Sequence, residues 1–119
     1  LERETWAGVV DTVGDKVLAT ALAQTRYEGT VTACGLAGGM DLPTSVAPFI
    51  LRGVTLRGID SVMASQARRQ RAWDALADLM DRDQLRQIYR VVAMSEVPEL
   101  ATKIVAGEVR GRLVVDVNA

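Results

Sequence analysis

A glycine-rich loop is the first segment of this 119-residue chain whose residue types could do chemistry. Gly35, Gly38 and Gly39 follow a short apolar run, and the backbone N–H groups of such a loop could cradle a phosphate. Their spacing is not the G-x-G-x-x-G pattern of dinucleotide sites, and no helix pattern starts directly after them to add its dipole. The residues alone therefore favour the simpler interpretation, a turn at a strand end that needs glycine for positive φ.

Other side chains with reactive groups are few. The chain has no histidine, which excludes a Ser-His-Asp triad, a histidine metal ligand and an imidazole proton shuttle within it. Its single cysteine, Cys34, has apolar neighbours, so we expect a small buried residue and not a nucleophile. The arginine-rich segment 68–71 is expected to be a solvated helix face, with the aspartates between positions 74 and 83 as its partners.

Composition and charge limit the classes of partner. Lys and Arg number 14 and Asp and Glu number 15, so a net charge of −1 offers no field for nucleic acid or for an anionic membrane. No run approaches the roughly 20 apolar residues of a membrane-spanning helix. We therefore expect neither a nucleic acid nor a membrane as partner, and a cytoplasmic location. Because the chain begins with Leu1 and not Met, we also expect it to be a piece of a longer protein.

Strand-like and helix-like patterns alternate along the chain. Predicted strands cover 7–11, 29–35, 54–59, 88–93 and 111–117, and predicted helices cover 14–25, 46–52, 65–80 and 95–107. On the third of these helices, Trp73, Leu76, Ala77 and Met80 recur at helical spacing and are expected to be buried. The alternation predicts an α/β fold in which parallel strands form a doubly wound sheet with helices on both faces.

The loops at the carboxyl ends of the strands are the candidate ligand sites, because doubly wound sheets bind their ligands there. Those loops are 11–14, 35–39 and 60–63. The residues alone leave two functions open. One is the cofactor-binding half of an oxidoreductase, and the other is a flavodoxin-like interaction or regulatory module that does no chemistry.

Four stretches of the chain carry a family resemblance: 6–14 (WAGVVDTVG), 33–39 (ACGLAGG), 48–54 (PFILRGV) and 56–62 (LRGIDSV). Together they resemble the YhdH/YhfP-type quinone oxidoreductases of the zinc-free medium-chain dehydrogenase/reductase superfamily. Some members of that group are NADPH-dependent acrylyl-CoA reductases. The resemblance extends over the whole chain, to Gly111-Arg112 and Val117-Asn118 near its end.

This resemblance implies an NAD(P)-binding, Rossmann-type doubly wound sheet, of which the chain would supply the C-terminal half plus a closing helix and strand. Residues 1–80 would complete the cofactor domain, and residues 81–119 would return to a GroES-like catalytic domain. The family also implies a homodimer, with the strand 54–59 as the candidate for a sheet edge that bridges two subunits.

The activity implied by the resemblance is hydride transfer from NADPH to an activated C=C bond, with a small molecule or an acyl-CoA, acrylyl-CoA above all, as substrate. A quinone reductase of the zeta-crystallin type is the alternative. Four residues match the cofactor contacts of the family: Leu36, Ile50, Ser61 and Asn118. The first two would line the nicotinamide side of the pocket, and the last two would form hydrogen bonds with the cofactor. The catalytic residues would lie outside this chain.

Overall fold

The computed structural model describes residues 1–119 and shows an α/β chain with parallel strands. Its strands are β1 (Trp6–Asp11), β2 (Thr25–Ala33), β3 (Thr55–Gly58), β4 (Tyr89–Ala93) and β5 (Arg112–Asp116). Its helices are α1 (Asp15–Gln24), α2 (Ala47–Arg52), α3 (Gln66–Leu79), α4 (Arg82–Ile88) and α5 (Val97–Val105), the last preceded by a 3₁₀ turn at Met94–Glu96. The chain divides into two compact units, 1–65 and 66–119. No helix combines the length and the apolar character needed to cross a bilayer.

The first unit is a three-stranded parallel sheet in the order β1-β2-β3. Val9, Val31 and Leu56 lie side by side in register across the three strands. The buried core consists of Leu18, Leu22, Val31 and Val54. Leu18 and Leu22 of α1 thus meet Val31 of the sheet and Val54, which directly precedes β3. The removal of these apolar surfaces from water stabilises the unit.

The second unit is built around a two-stranded parallel sheet of β4 and β5, paired from Tyr89↔Arg112 to Ala93↔Asp116. Helix α5 connects the two strands, and its Leu100 is buried together with Val92 of β4. Gly107 follows the helix with φ +73°, a left-handed conformation that favours glycine and stops the helix, as the sequence predicts.

The strand predictions are confirmed, but the strands belong to two sheets and not to one. Strand β2 also begins at Thr25 and not at position 29. Thr25 is fully buried, and its Oγ1 donates to the Ala21 carbonyl at 2.7 Å. That hydrogen bond ends α1 and turns the chain directly into the strand.

Helix α4 is an element that the sequence analysis misses. Asp81 caps its N-terminus, because the Asp81 carboxylate accepts from the N–H groups of Asp83 and Gln84 at 2.8 and 3.2 Å. Asp83 forms an exposed ion pair with Arg86 at 3.0 Å. Asp81 and Asp83 therefore serve the local geometry of α4, and the expected pairing of the aspartates with the arginines of the segment 68–71 stays a prediction.

The predicted burial of the α3 stripe is wrong. No residue of α3 is buried, and Trp73 is 68% exposed. The predicted residues do share one face: Trp73, Leu76, Ala77 and Met80 line an open groove of about 310 Å³ together with Arg82 and Leu85. Helical spacing thus identifies the apolar face correctly, but burial also requires a surface that covers it.

Candidate functional site

The carboxyl ends of the three parallel strands of the first unit lie in register. Asp11 pairs with Ala33, and Ala33 pairs with Gly58, so β1, β2 and β3 end side by side at one edge of the sheet. The segments 12–14, 34–39 and 59–63 follow these ends. The structure therefore brings the three predicted loops to one edge, where parallel sheets bind ligands.

The first two of these loops are joined by backbone hydrogen bonds. Cys34 N–H donates to the Asp11 carbonyl at 2.9 Å, and Gly38 N–H donates to the Val13 carbonyl at 2.7 Å. Ala37 N–H donates to the Thr12 carbonyl at 3.3 Å. Residues 12–14 and 34–39 thus form one paired structure, which we call the loop platform.

Glycine is required in the loop platform chiefly because the two loops approach closely. A Cβ at Gly35 would lie 2.5 Å from the Thr12 carbonyl oxygen, and a Cβ at Gly38 would lie 2.9 Å from a methyl carbon of Val13. Gly14 has φ +74°, and a Cβ there would collide with the Gly39 carbonyl oxygen. Gly39 has φ +148°, which agrees with the expected turn at positive φ. The glycines serve loop packing, so their presence does not require a bound phosphate.

Asp11 is a buried carboxylate at the base of the loop platform that the sequence analysis does not select. It is 4% exposed, and its Oδ2 accepts a hydrogen bond from Gly14 N–H at 2.9 Å. The sequence does contain a signal that could have identified Asp11, because its carboxylate ends an apolar strand three residues before a glycine.

Cys34, in the same loop platform, is exposed, so the prediction of a buried cysteine is wrong. Its position directly after β2 places it at the edge of the sheet and not between the sheet and a helix. The Sγ atom lies 3.4 Å from the Asp11 carbonyl oxygen, to which the thiol donates.

The loop after β3 has its own local order. Ile59 N–H donates to the Ala33 carbonyl at 2.8 Å, which holds the start of this loop against the end of β2. Asp60 Oδ1 accepts from the N–H groups of Val62 and Met63, both at 3.1 Å. Ser61 lies inside this turn and is exposed. The Asp60 carboxylate thus shapes the turn that carries Ser61.

Two of the four predicted cofactor residues share this edge of the sheet. Leu36 lies in the loop platform and is 59% exposed, and Ser61 follows β3. Ile50 lies on α2, which precedes β3 in the chain, and its side chain is 73% exposed. Asn118 lies in the second unit, after β5, where its N–H donates to Asp116 Oδ1 at 2.9 Å. The cofactor contacts of all four residues remain predictions.

Two known proteins are about 50% identical to this chain over the region that they share with it. The acrylyl-CoA reductase AcuI of Ruegeria pomeroyi is 51% identical over 119 residues, which are all of this chain and 36% of that protein. The crystal structure of YhdH from Escherichia coli K-12 with bound NADPH covers 97% of this chain and 36% of its own, at 50% identity and a TM-score of 0.77. The predicted resemblance is confirmed.

A third relative differs in its nucleotide. The structure of Bacillus subtilis YhfP was determined with NAD bound, and it covers 98% of this chain and 36% of its own at 41% identity and a TM-score of 0.75. The solved relatives therefore include complexes with NADPH and with NAD. No protein-family model matches the chain. The chain spans about 36% of the length of the curated relatives it matches.

Proposed function

We propose that this chain is the C-terminal part of an NADPH-dependent reductase and binds the nicotinamide side of the cofactor at the loop platform. The observation that carries the proposal is the register of the strand ends, which brings Leu36 and Ser61 to one edge in a chain 51% identical to an acrylyl-CoA reductase. The complete enzyme would reduce the C=C bond of an acyl-CoA, with acrylyl-CoA as the first candidate.

The residues at this edge suit an uncharged portion of a dinucleotide. Helix α1 begins beside the loop platform with Asp15 in its first turn, and a carboxylate there disfavours a phosphate at the same helix end. The exposed Leu36 side chain offers an apolar contact, and the Ser61 hydroxyl offers a hydrogen bond. When bound, NADPH would supply the hydride, while this chain orients the cofactor and limits the access of water.

The outer edge of β1 supports the proposal that more of the sheet lies in the complete enzyme. β1 is an outer strand of the sheet, and beside it lies an open groove of about 610 Å³. The groove is lined by Trp6, Gly8, Val9, Val10, Lys16, Val17, Thr20, Ala21 and Gln24. An uncovered apolar groove next to an unpaired parallel edge suits a further strand and helix. We propose that residues 1–80 complete a Rossmann-type domain and that 81–119 return to the catalytic domain.

β3 is the other outer strand of the same sheet, and we propose it as the bridging edge of a homodimer. The four residues of β3 present their second backbone edge away from β2, where a second copy could pair.

The proposed compartment is the cytoplasm, where a chain with one free, exposed thiol needs no oxidising environment.

Quinone reduction is the second candidate activity. It is favoured by the relative YhfP, which is named after the quinone oxidoreductases and is 40% identical over 97% of this chain. Both activities would use the same cofactor edge, because they differ in the hydride acceptor and not in the donor.

The test measures NADPH oxidation by the full-length protein with acrylyl-CoA and with a simple quinone side by side. We expect the higher kcat/KM with acrylyl-CoA, and we expect residues 1–119 alone to be inactive, because the family resemblance implies that the anchor for the pyrophosphate would lie in the rest of the protein. A higher kcat/KM with the quinone would favour the second candidate. Full-length protein that binds no NADPH and oxidises none with either acceptor would leave the interaction module as the better explanation.

Homodimer formation has a separate test. Sedimentation of the full-length protein is expected to show a dimer, and Thr55→Pro, at an exposed position of β3, is expected to shift it towards the monomer. Proline removes a backbone donor from the strand. A monomer in the unmodified protein would contradict the proposal.

A further inference from the structure

Asp11 is a buried acidic side chain that the proposed function does not use. Burial of a carboxylate is costly unless hydrogen bonds compensate for the lost water, and an apolar side chain at this position would avoid that cost. The Asp11 carboxylate has one specific partner, the equally buried N–H of Gly14. The structure therefore points to a role in placing Gly14.

Gly14 is one of the residues at which the two loops approach each other closely. Its φ of +74° brings it against the Gly39 carbonyl oxygen, and a Cβ built on it would lie 3.5 Å from the Cα of Leu36. Val13, next to Gly14, accepts the Gly38 N–H at 2.7 Å, and Gly39 N–H donates to the Leu36 carbonyl at 3.1 Å. A shift of Gly14 would therefore move the loop that carries Leu36. The hydrogen bond from Gly14 to Asp11 opposes such a shift.

The main chain of Asp11 acts on the second loop directly. Its carbonyl accepts the Cys34 N–H at 2.9 Å, while its side chain holds the first loop. One residue thus fixes both halves of the loop platform, and Leu36 lies at the exposed tip of the second half.

We propose that Asp11 is a positioning residue for the dinucleotide: through Gly14 it holds Leu36 where the nicotinamide side of the cofactor binds. This inference rests on the proposed function and extends it to a residue that does not touch the cofactor. The Asp11 side chain acts only through the loop platform, so its removal should weaken cofactor binding without removing any group from the site.

The test compares Asp11→Ala and Asp11→Asn in the full-length protein, with NADPH as the probe in calorimetry. Asp11→Ala leaves the buried Gly14 N–H without an acceptor and is expected to raise the Kd of NADPH about tenfold. Asp11→Asn keeps an acceptor oxygen and is expected to stay within about threefold of the unmodified protein. Asp78→Ala, on the exposed face of α3, is the matched control and is expected to leave the Kd unchanged.

Hydrogen exchange separates positioning from general stabilisation. In Asp11→Ala, the amides of Ala37, Gly38 and Gly39 are expected to exchange faster, while the amides inside β2 keep their protection. Faster exchange throughout the first unit would make Asp11 a general stabiliser and would overturn the proposal. An unchanged Kd in Asp11→Ala would also overturn it, while leaving the proposed function intact. If the unmodified protein binds no NADPH, the proposed function fails and this inference fails with it.

Discussion

The two units of the chain differ in how they bury their apolar side chains. Residues 1–65 contain a cluster of four buried residues, with Val9, Ala33, Phe49 and Leu56 packed against it. In residues 66–119 only Val92 and Leu100 are buried apolar residues. Three parallel strands with a helix can enclose a core, whereas two strands rarely can without further layers. The first unit therefore has its own source of stability, and the second needs a covering surface.

Helix α3 shows the difference most clearly. It has 14 residues, none of them buried, and it begins the second unit. Helix α1 has ten residues and buries two leucines. Since isolated helices of this length are marginal in water, α3 needs packing that the second unit does not provide.

The largest expected difference between the units comes from leucine truncation. Leu22→Ala, at a fully buried position of the first unit, is expected to cost about 2–5 kcal/mol in the free energy of unfolding. Leu79→Ala, at a position 83% exposed on α3, is expected to change it by about 0.5 kcal/mol or less. The two changes remove the same atoms, so burial alone separates them.

The measurement can follow each unit separately, because the chain has two tryptophans and each unit holds one. Urea unfolding of a Trp73→Phe background reports the first unit through Trp6, and a Trp6→Phe background reports the second through Trp73. Equal costs for Leu22→Ala and Leu79→Ala would contradict the comparison.

The sequence predicts the first unit better than the second, for a physical reason. In the first unit, the apolar stripe of α1 packs against the apolar strands. The spacing of apolar residues in the sequence therefore predicts which side chains are buried. In the second unit, the spacing of Trp73 and Met80 identifies a shared face but cannot supply the surface that would cover it. The sequence analysis misses helix α4 for another reason. It assigns Asp81 a role as a charged partner, whereas the Asp81 carboxylate accepts hydrogen bonds from the N–H groups at the start of the helix.

Two glycines with nearly the same φ angle differ in their surroundings. Gly14 in the first unit has φ +74°, and Gly107 in the second has φ +73°. A Cβ at Gly107 meets nothing within 4 Å, whereas one at Gly14 collides with the backbone of Gly39. Gly107→Ala is therefore expected to cost about 1–2 kcal/mol, from the left-handed conformation alone. Gly14→Ala is expected to cost more, because the loop platform must also open.

Urea unfolding with the same tryptophan reporters measures both glycine variants. Gly58→Ala serves as the control, because Gly58 is not among the glycines with positive φ and has open space around it. A cost for Gly14→Ala no larger than that for Gly107→Ala would show that the two loops separate freely, which would weaken the assignment of a rigid platform.

The candidate site was predictable to the extent that it follows from strand order. Leu36 and Ser61 lie directly after parallel strands, so their common edge follows from the alternation of strands and helices. Asp11 was not predictable in its role, because that role depends on a hydrogen bond to Gly14 and on the pairing of its main chain with a loop more than 20 residues away. Ile50 is a different case. It was selected only because it matches a cofactor contact of the resembled family, since it lies on α2 and not in a loop at the carboxyl end of a strand.

Ser61 and Asn118 are proposed cofactor residues that lie in different units of the chain. Both can be replaced in the full-length protein. Ser61→Ala in the first unit is expected to cost about 0.5–1.5 kcal/mol of NADPH affinity, or roughly 2–12-fold in Kd, for a lost neutral hydrogen bond. Asn118→Ala in the second unit is expected to have an effect of the same size. Calorimetry with NADPH measures both, and melting temperatures should remain nearly unchanged.

The pattern of results for these two residues decides which unit holds the cofactor. A loss in Ser61→Ala alone would confine cofactor binding to the first unit. A fall in melting temperature with unchanged affinity would make the Ser61 side chain structural and would refute its assignment as a cofactor contact.

The smallest expected effect concerns a local ion pair in the second unit. Lys103 Nζ donates to Glu99 Oε1 at 2.6 Å, four residues earlier on α5. This hydrogen bond, together with the positive charge of Lys103, lowers the pKa of Glu99 below its ordinary value of 4.5. A lowered pKa in the folded state means that the stabilisation is complete above the unfolded value and is lost as the pH falls through the folded value.

Glu99→Gln should therefore lower the melting temperature slightly at neutral pH, and the difference should close as the pH is brought well below 4.5. The effect is small because both side chains are exposed and are screened by water and salt. Added salt should reduce it further. Glu108→Gln removes the same charge where no ion pair forms, and it is expected to leave the melting temperature unchanged. A difference at neutral pH that persists in acid would mean that Glu99 stabilises α5 through its packing and not through Lys103, and the second unit would then have more internal support than its exposed helices indicate.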